Sequence, residues 1–100
     1  MSIRSLLKLP VVGYESEAAF VNDLNEMMAL AKQQPGFISV QIWKSHTDKD
    51  PIVYMVESEW ESKDAMSAME HHDVHEEVMS SYPHQPIHLR LVPWQASSPS

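Results

Sequence analysis

The sequence predicts an α+β domain built in the order strand–helix–strand–strand–helix–strand. Two observations point to this class: apolar residues alternate in four short segments, and they recur at helical spacing in two longer ones. Prolines, glycines and polar turns separate these segments. Because crossover connections are right-handed, this order folds into a ferredoxin-like βαββαβ sandwich with both helices on one face of an antiparallel sheet.

The first half of the chain predicts a strand followed by a long helix. The strand covers Ile3–Pro10 and ends at a proline. Ser16 is positioned as the N-cap of a helix that runs to about Gln34, where Pro35-Gly36 ends it. The apolar residues of this helix fall on one face, which predicts that the face is buried: Phe20, Leu24, Met27, Met28 and Ala31.

The two middle strands, Phe37–Lys44 and Ile52–Trp60, are separated by a polar turn. In the first of them the alternation places Ile38 on the same face as Val40 and Ile42. The second carries apolar residues on both faces, so both faces of the sheet should be covered. Two helices cover only one face, so we expect the other face to meet another chain, which suggests a dimer.

The second half predicts a helix from Lys63 to about Ser80, capped by Ser62, and a last strand over Ile87–Trp94. The polar stretch Glu70–Glu77 interrupts the apolar stripe of the helix, so we expect the helix to bend or split there. The domain is predicted to span residues 1–95, followed by a disordered polar tail at 96–100.

Composition excludes several classes of function. Seven Lys and Arg against 14 Asp and Glu give a net charge of −7, which disfavours binding to nucleic acid or to an anionic membrane. The chain has no cysteine, which excludes disulfides, cysteine-ligated zinc and thiol catalysis. No apolar run approaches the roughly 20 residues of a membrane span. We expect a soluble, cytoplasmic domain.

Three segments carry a resemblance to a known family: Pro35-Gly36-Phe37 after the long helix, Tyr54, and Glu59–Ala65 with the sequence EWESKDA. They resemble the antibiotic biosynthesis monooxygenase (ABM) domain family, part of the dimeric α/β-barrel superfamily, over roughly residues 3 to 94. The resemblance implies a homodimer in which two protomers pair their sheets face to face into an eight-stranded barrel. It also implies a ligand cleft between each protomer's helices and its own sheet. Members include cofactor-free oxygenases of polycyclic phenols and haem-degrading oxygenases.

The resemblance does not favour haem degradation. Haem-degrading members share an Asn on the first strand, a Trp in the second helix and a later His in that helix. Here the two helix positions fall at Met69 and near Met79, and the only asparagines, Asn22 and Asn25, lie in the first helix. We therefore expect no cofactor and no metal, with a haem protein kept as an alternative.

The histidines of the second helix are the candidate catalytic groups. Members of the family carry histidines in this region, and His72 and His75 approximate that feature. A neutral imidazole with a pKa near 6.5 accepts a proton at neutral pH. His71 and His75 also have the i, i+4 spacing of a metal pair, although no third ligand is evident. Histidines in such a stretch more often lie at the surface or have a structural role, and we keep this as the alternative.

We predict a cofactor-independent monooxygenase that uses O₂ on a hydrophobic aromatic or quinol-like molecule. The alternatives are a non-enzymatic module that binds a small hydrophobic molecule and a haem-binding or haem-degrading oxygenase. The candidate substrate-binding residues are Trp43, Tyr54, Trp60, Met69 and His71. The alternative for these residues is packing, because aromatic residues on strands and methionines on helices more often lie in the core or in a dimer interface.

Overall fold

A computed structural model describes residues 2–11, 13–46, 52–80, 82–83 and 86–93. The described residues form four strands and three helices: β1 (Ile3–Pro10), α1 (Glu17–Lys32), β2 (Phe37–Lys44), β3 (Val53–Trp60), α2 (Lys63–Glu70), α3 (Asp73–Ser80) and β4 (Ile87–Leu91). The strands form one antiparallel sheet in the order β2-β3-β1-β4. The predicted α+β, ferredoxin-like fold is confirmed.

The two predicted helix N-caps are both present. The Oγ of Ser16 accepts a hydrogen bond of 3.1 Å from the backbone N–H of Ala19, and the Oγ of Ser62 accepts one of 3.1 Å from Ala65. Each bond satisfies a backbone donor that has no partner inside the helix. These local interactions fix where α1 and α2 begin.

The predicted interruption of the second helix is a complete break. His71 is the C-cap of α2, and α3 begins two residues later at Asp73. The ring Nδ1 of His72 accepts a hydrogen bond of 3.2 Å from the backbone N–H of Val74, as an N-cap side chain does. The polar residues at this point therefore start a new helix instead of continuing the old one.

The core fills the space between the helices and one face of the sheet. One cluster of buried residues lies towards α3 and the other towards α2. They comprise Leu9, Phe20, Leu24, Val56 and Tyr82 in the first, and Ala31, Trp60, Met66 and Met69 in the second. The predicted buried face of α1 is confirmed, with Met28 at its partly buried edge.

One prediction about β2 was wrong. The pairing of β2 with β3 shifts register between Phe37 and Ser39, so Ile38 does not share the inner face with Val40. Instead the Phe37 ring packs edge-on against Trp60, with 5.6 Å between ring centroids, and Ile38 is 46% exposed. A β-bulge of this kind adds one residue to one strand and reverses the side-chain alternation beyond it.

The last strand ends earlier than predicted, at Leu91 instead of Trp94. Trp94 and the predicted tail at 96–100 lie outside the described residues, and so does the boundary at residue 95. The apolar residues of β4 point away from the helices and are exposed: Ile87, Leu89 and Leu91. In the described part of the chain, no helix has the length and apolar character needed to cross a membrane.

Gly36 provides a test of the packing between the end of α1 and the start of α2. Its φ is +85°, and a Cβ at this position would lie 2.5 Å from the Cβ of Ala65. We expect Gly36→Ala to lower the free energy of unfolding, because the backbone strain alone costs about 1–3 kcal/mol and the clash adds to it. Urea titrations measure this loss. Combining Gly36→Ala with Ala65→Gly should recover part of that loss. Equal losses in the single and double variants would contradict the proposed clash.

Candidate active site

A small cavity, here called the inner cavity, lies between the helices and the sheet and has a volume of about 50 Å³. Its walls are mostly apolar and come from all three helices and the inner face of the sheet. Five of its lining residues are polar: Ser5, Ser58, Glu70, His75 and His88. Polar side chains in an otherwise apolar enclosure are the usual arrangement of a site that binds a small molecule in one orientation.

A second, open depression, here called the outer groove, runs along the surface of α2, α3 and β4 and has a volume of about 440 Å³. Glu70, His75 and His88 line both the outer groove and the inner cavity. These three side chains therefore lie at the boundary between the two spaces. A molecule that moves from the groove into the cavity must pass them.

His88 has a defined position at this boundary. Its Nε2 lies 2.6 Å from the Oγ of Ser5, and its Nδ1 lies 3.5 Å from Oε1 of Glu70. Burial lowers the pKa of His88, and the neighbouring Arg90 lowers it further, while Glu70 raises it. The net direction is downward, so His88 is neutral at pH 7.

Glu70 is held by Arg90. Oε1 of Glu70 accepts hydrogen bonds from Nε of Arg90 at 3.1 Å and from Nη2 at 2.5 Å. The ion pair joins the last residue of α2 to β4, and the positive charge of Arg90 stabilises the carboxylate of Glu70. Glu70 therefore faces His88 from a fixed position.

His75 extends from α3 to the same boundary. Burial lowers its pKa most strongly, and the nearby His88 and His72 also lower it, whereas Glu70 and Glu76 raise it. A neutral imidazole at pH 7 has a lone pair that can accept a proton. Of the two predicted catalytic histidines, His75 is the one that lines the inner cavity.

The other two histidines of this segment occupy different positions. His72 caps α3, as described above. The side chain of His71 is 77% exposed in the outer groove, with Nδ1 3.4 Å from Oε1 of Glu76. Because the helix breaks between them, His71 and His75 do not lie on one continuous helical face. Among the described residues, no three His, Asp or Glu side chains are placed to hold a metal ion.

The predicted substrate-binding residues separate into two groups. Trp60 and Met69 are buried and line the inner cavity. Tyr54 packs on α1, where its hydroxyl donates a 2.5 Å hydrogen bond to Glu17, and Trp43 is exposed on the opposite face of the sheet. Trp43 and Tyr54 are absent from the described linings of both the cavity and the groove.

Sequence reasoning missed Ser5, Glu70 and His88. One signal was available: Ser5 occupies an inward position of β1 between Ile3 and Leu7, where an apolar residue is expected. His88 gave no such signal, because the alternation of β4 does not indicate which of its faces is buried.

Comparison with known proteins agrees with this architecture. The model of the family described as "Antibiotic biosynthesis monooxygenase" matches residues 12–80. The chain belongs to this family. No curated protein matches it significantly. The ABM membership confirms the resemblance read from the sequence.

Solved structures with the same fold cover almost the whole chain. SnoaB, a cofactor-independent oxygenase from Streptomyces nogalater, has a TM-score of 0.79 at 18% identity, covering 96% of each chain. Rv0793 from Mycobacterium tuberculosis has a TM-score of 0.78 at 13% identity, covering 98% of this chain and 100% of the other. A conserved protein from Methanosarcina mazei Go1 has a TM-score of 0.73 at 16% identity, covering 91% of each chain. At these identities the likeness establishes the fold alone.

The buried histidines predict how stability depends on pH. The pKa values of His75 and His88 are lowered by folding, so the unfolded chain binds protons more readily than the folded one. Their contribution to stability is complete above the unfolded pKa of about 6.5, and it is lost as the pH falls from there through the lower pKa values of the folded state. Urea titrations should therefore show a falling free energy of unfolding between about pH 7.5 and 5.5.

The same titrations on His75→Gln and His88→Gln should show a shallower fall, and the exposed His71→Gln serves as the matched control. Glu17 and Glu57 do not obscure this window. The pKa of Glu17 is lowered by Lys44 and that of Glu57 by Arg4, so both titrate at more acidic pH. An unchanged slope in both buried-histidine variants would contradict the interpretation.

Proposed function

We propose that the protein is an oxygenase that works without a tightly held cofactor and uses O₂ to oxidise a hydrophobic aromatic or quinol-like molecule. The observation that carries the proposal is the inner cavity of an ABM domain, apolar on most sides and bordered by the neutral imidazole of His75. A substrate of this class supplies the electrons itself, so its activation requires mainly a base and a dry enclosure.

The chemistry balances without an external reductant. An anthrone-type CH₂ group loses a proton to a base, and the resulting carbanion transfers electrons to O₂. The completed reaction turns R₂CH₂ and O₂ into R₂C=O and H₂O. In this proposal His75 accepts the proton from carbon, and the apolar walls keep water away from the intermediate.

The size of the inner cavity requires movement. A volume of about 50 Å³ is far below the roughly 300–1,000 Å³ of typical ligand sites, whereas the 440 Å³ of the outer groove is within that range. We infer that α3 swings outwards at the break at His71 and His72 to join the two spaces. α3 has only eight residues and none of them is fully buried, so its displacement disturbs few core contacts.

Three of the predicted substrate-binding residues keep that role in the proposal. Trp60 and Met69 would form the apolar floor under a flat ring, and His71 would contact the part of the molecule that remains in the outer groove. His72 is retained as the second candidate base, beside its role as the cap of α3. A cytoplasmic location remains a prediction, consistent with the lack of cysteine.

We also propose that two copies associate through the sheet face that points away from the helices, here called the outer face. Leu6 and Leu89 lie directly opposite each other on this face, and Leu89 is 48% exposed. Trp43, Ile87 and Leu91 extend the exposed apolar surface. A patch of this kind on one side of a sheet is typical of a protein–protein interface.

Oxygen uptake with 1,8-dihydroxyanthrone tests the enzymatic proposal. We expect an uptake rate above the uncatalysed autoxidation, together with formation of 1,8-dihydroxyanthraquinone. His75→Gln should lower turnover by roughly 100-fold, because it removes a general base. His46→Gln, at an exposed position outside the linings of the cavity and the groove, should retain it. His72→Asn keeps an acceptor for the helix cap and therefore measures the chemical role of His72 separately.

A wild-type rate equal to the uncatalysed rate would contradict oxygenase activity with this substrate class. Tight binding of the anthrone without oxygen uptake would instead support a binding module. Full turnover by both His75→Gln and His72→Asn would remove the two histidines from the mechanism.

Sedimentation velocity tests the homodimer. Leu89→Lys places a charge within the exposed apolar surface of the outer face, and we expect it to convert a dimer into a monomer at micromolar concentration. Ala29→Lys, on the exposed side of α1, adds the same charge elsewhere and should leave the dimer intact. A wild-type monomer, or a dimer in both variants, would contradict the proposed interface.

A further inference from the structure

Resting on the proposed function, we propose that Ser5, His88 and Glu70 form a proton relay that binds the acidic hydroxyl of a phenol or enol. The proposal adds a second proton acceptor, built on the sheet, to the base on α3. It also assigns a role to a histidine on β4 that differs from that of His75 on α3.

The relay begins at Ser5, which is held rigidly. Ser5 lies in the middle of β1 and pairs with Ser58 of β3 on one side and with Arg90 of β4 on the other. The residue is only 8% exposed, and it lines the inner cavity. Its hydroxyl oxygen is 2.6 Å from Nε2 of His88, which is a short hydrogen bond for an oxygen and a nitrogen atom.

The charges around His88 fix which ring nitrogen carries the proton. Glu70 faces Nδ1 at 3.5 Å, and a carboxylate there favours a proton on Nδ1. Nε2 is then an acceptor for the Ser5 hydroxyl, and the lone pairs of the Ser5 oxygen are available to a hydroxyl in the cavity. The other charged or titratable groups near His88 are Arg90 on its own strand and His75 on α3.

The proton transfer is balanced within these groups. The substrate O–H bond breaks as a new O–H bond forms on Ser5, and the original Ser5 proton moves to Nε2 of His88. A neutral substrate and a neutral imidazole thus become a phenolate and an imidazolium. The imidazolium faces Glu70, whose position is fixed by Arg90. The phenolate is more electron-rich than the phenol and is therefore easier for O₂ to oxidise.

The same three residue types also form nucleophilic triads, but the surroundings of Ser5 do not favour that chemistry. A triad serine needs backbone N–H groups nearby to stabilise an oxyanion. The backbone of β1 at Ser5 is instead engaged with β3 and β4 on its two sides. Ser5 is accordingly placed to conduct a proton rather than to attack a carbonyl carbon.

The test uses 1,8-dihydroxyanthraquinone, a phenol that is already fully oxidised and whose phenolate absorbs at longer wavelength than the phenol. Absorbance titrations of the dye bound to the protein give its apparent pKa. We expect binding to wild type to lower that pKa by about one unit, a tenfold stabilisation of the phenolate over the phenol. Ser5→Ala and His88→Gln should abolish the shift, and Glu70→Gln should reduce it because the carboxylate favours the imidazolium.

Ser58→Ala is the matched control. Ser58 pairs with Ser5 across β1 and β3 and lines the same cavity, but its Oγ accepts a hydrogen bond from Nε1 of Trp60 and contacts no histidine in the described residues. The pKa shift should persist in this variant. Thermal unfolding of each variant establishes that it is folded, and Ser5→Ala, the smallest change, keeps the test valid if His88→Gln does not fold.

The relay is overturned if wild type does not bind the dye, or if the bound dye has the same pKa in wild type, Ser5→Ala and His88→Gln. Oxygen uptake by the same variants separates this failure from failure of the oxygenase proposal. Uptake that is unaffected by Ser5→Ala and His88→Gln refutes the relay and leaves the oxygenase. A pKa shift that depends on both residues, without any oxygen uptake, supports the relay and refutes the oxygenase.

Discussion

The constraint on which the structure depends is the pairing of β1 on both of its sides. β1 contacts β3 along eight residues and β4 along five, so its side chains are assigned strictly to one face or the other. Ser5, Leu7 and Leu9 face the helices, while Leu6 and Lys8 face away. A slip of one residue would exchange the two sets, removing the core and the cavity together.

Because of this constraint, the two faces of the sheet have different roles. The inner face carries the core and, near α2, the polar side chains of the candidate site. The outer face carries exposed apolar residues beside a charged cluster in which Arg4 contacts Glu57 at 2.6 Å and Glu59 at 3.4 Å. Because the faces are independent, a dimer can form on one without blocking ligand entry on the other.

The polar side chains at the site are tolerated because each has a partner or is neutral. A buried charge without a partner is costly, but Glu70 is paired with Arg90, and His75 and His88 avoid the cost by remaining neutral. No side-chain polar atom that is fully buried in the described residues lacks a hydrogen-bond partner. Hydrogen bonds and an ion pair therefore hold the sheet side of the site, whereas no residue of α3 is buried.

Features set by local chemistry were predictable from the sequence. Ser16 and Ser62 cap helices because a side-chain oxygen satisfies a nearby backbone N–H, and the polar run after Glu70 breaks the helix within a few residues. The bulge at Phe37 was not predictable, because strand alternation carries no mark of an inserted residue. The side on which β4 is buried was equally hidden in its own sequence.

The Ser5–His88 contact shows why the site itself was harder to predict. These residues are 83 positions apart, and although a polar Ser5 at an inward position is a signal, nothing in either strand names the other residue as its partner. The contact exists only because β1 and β4 are neighbours in the sheet. Aromatic character was also a weak predictor of substrate-binding residues. Trp43 and Trp60 both lie on strands, but Trp43 is exposed on the outer face and Trp60 is buried beside the cavity.

The most direct measurement of this account is a crystal structure of the protein with 1,8-dihydroxyanthraquinone bound. The account predicts a ring seated between α2, α3 and the sheet, with α3 displaced outwards and a dye hydroxyl within hydrogen-bond distance of the Ser5 Oγ. A dye bound on the outer face of the sheet, or only at the surface with the inner cavity unchanged, would contradict it.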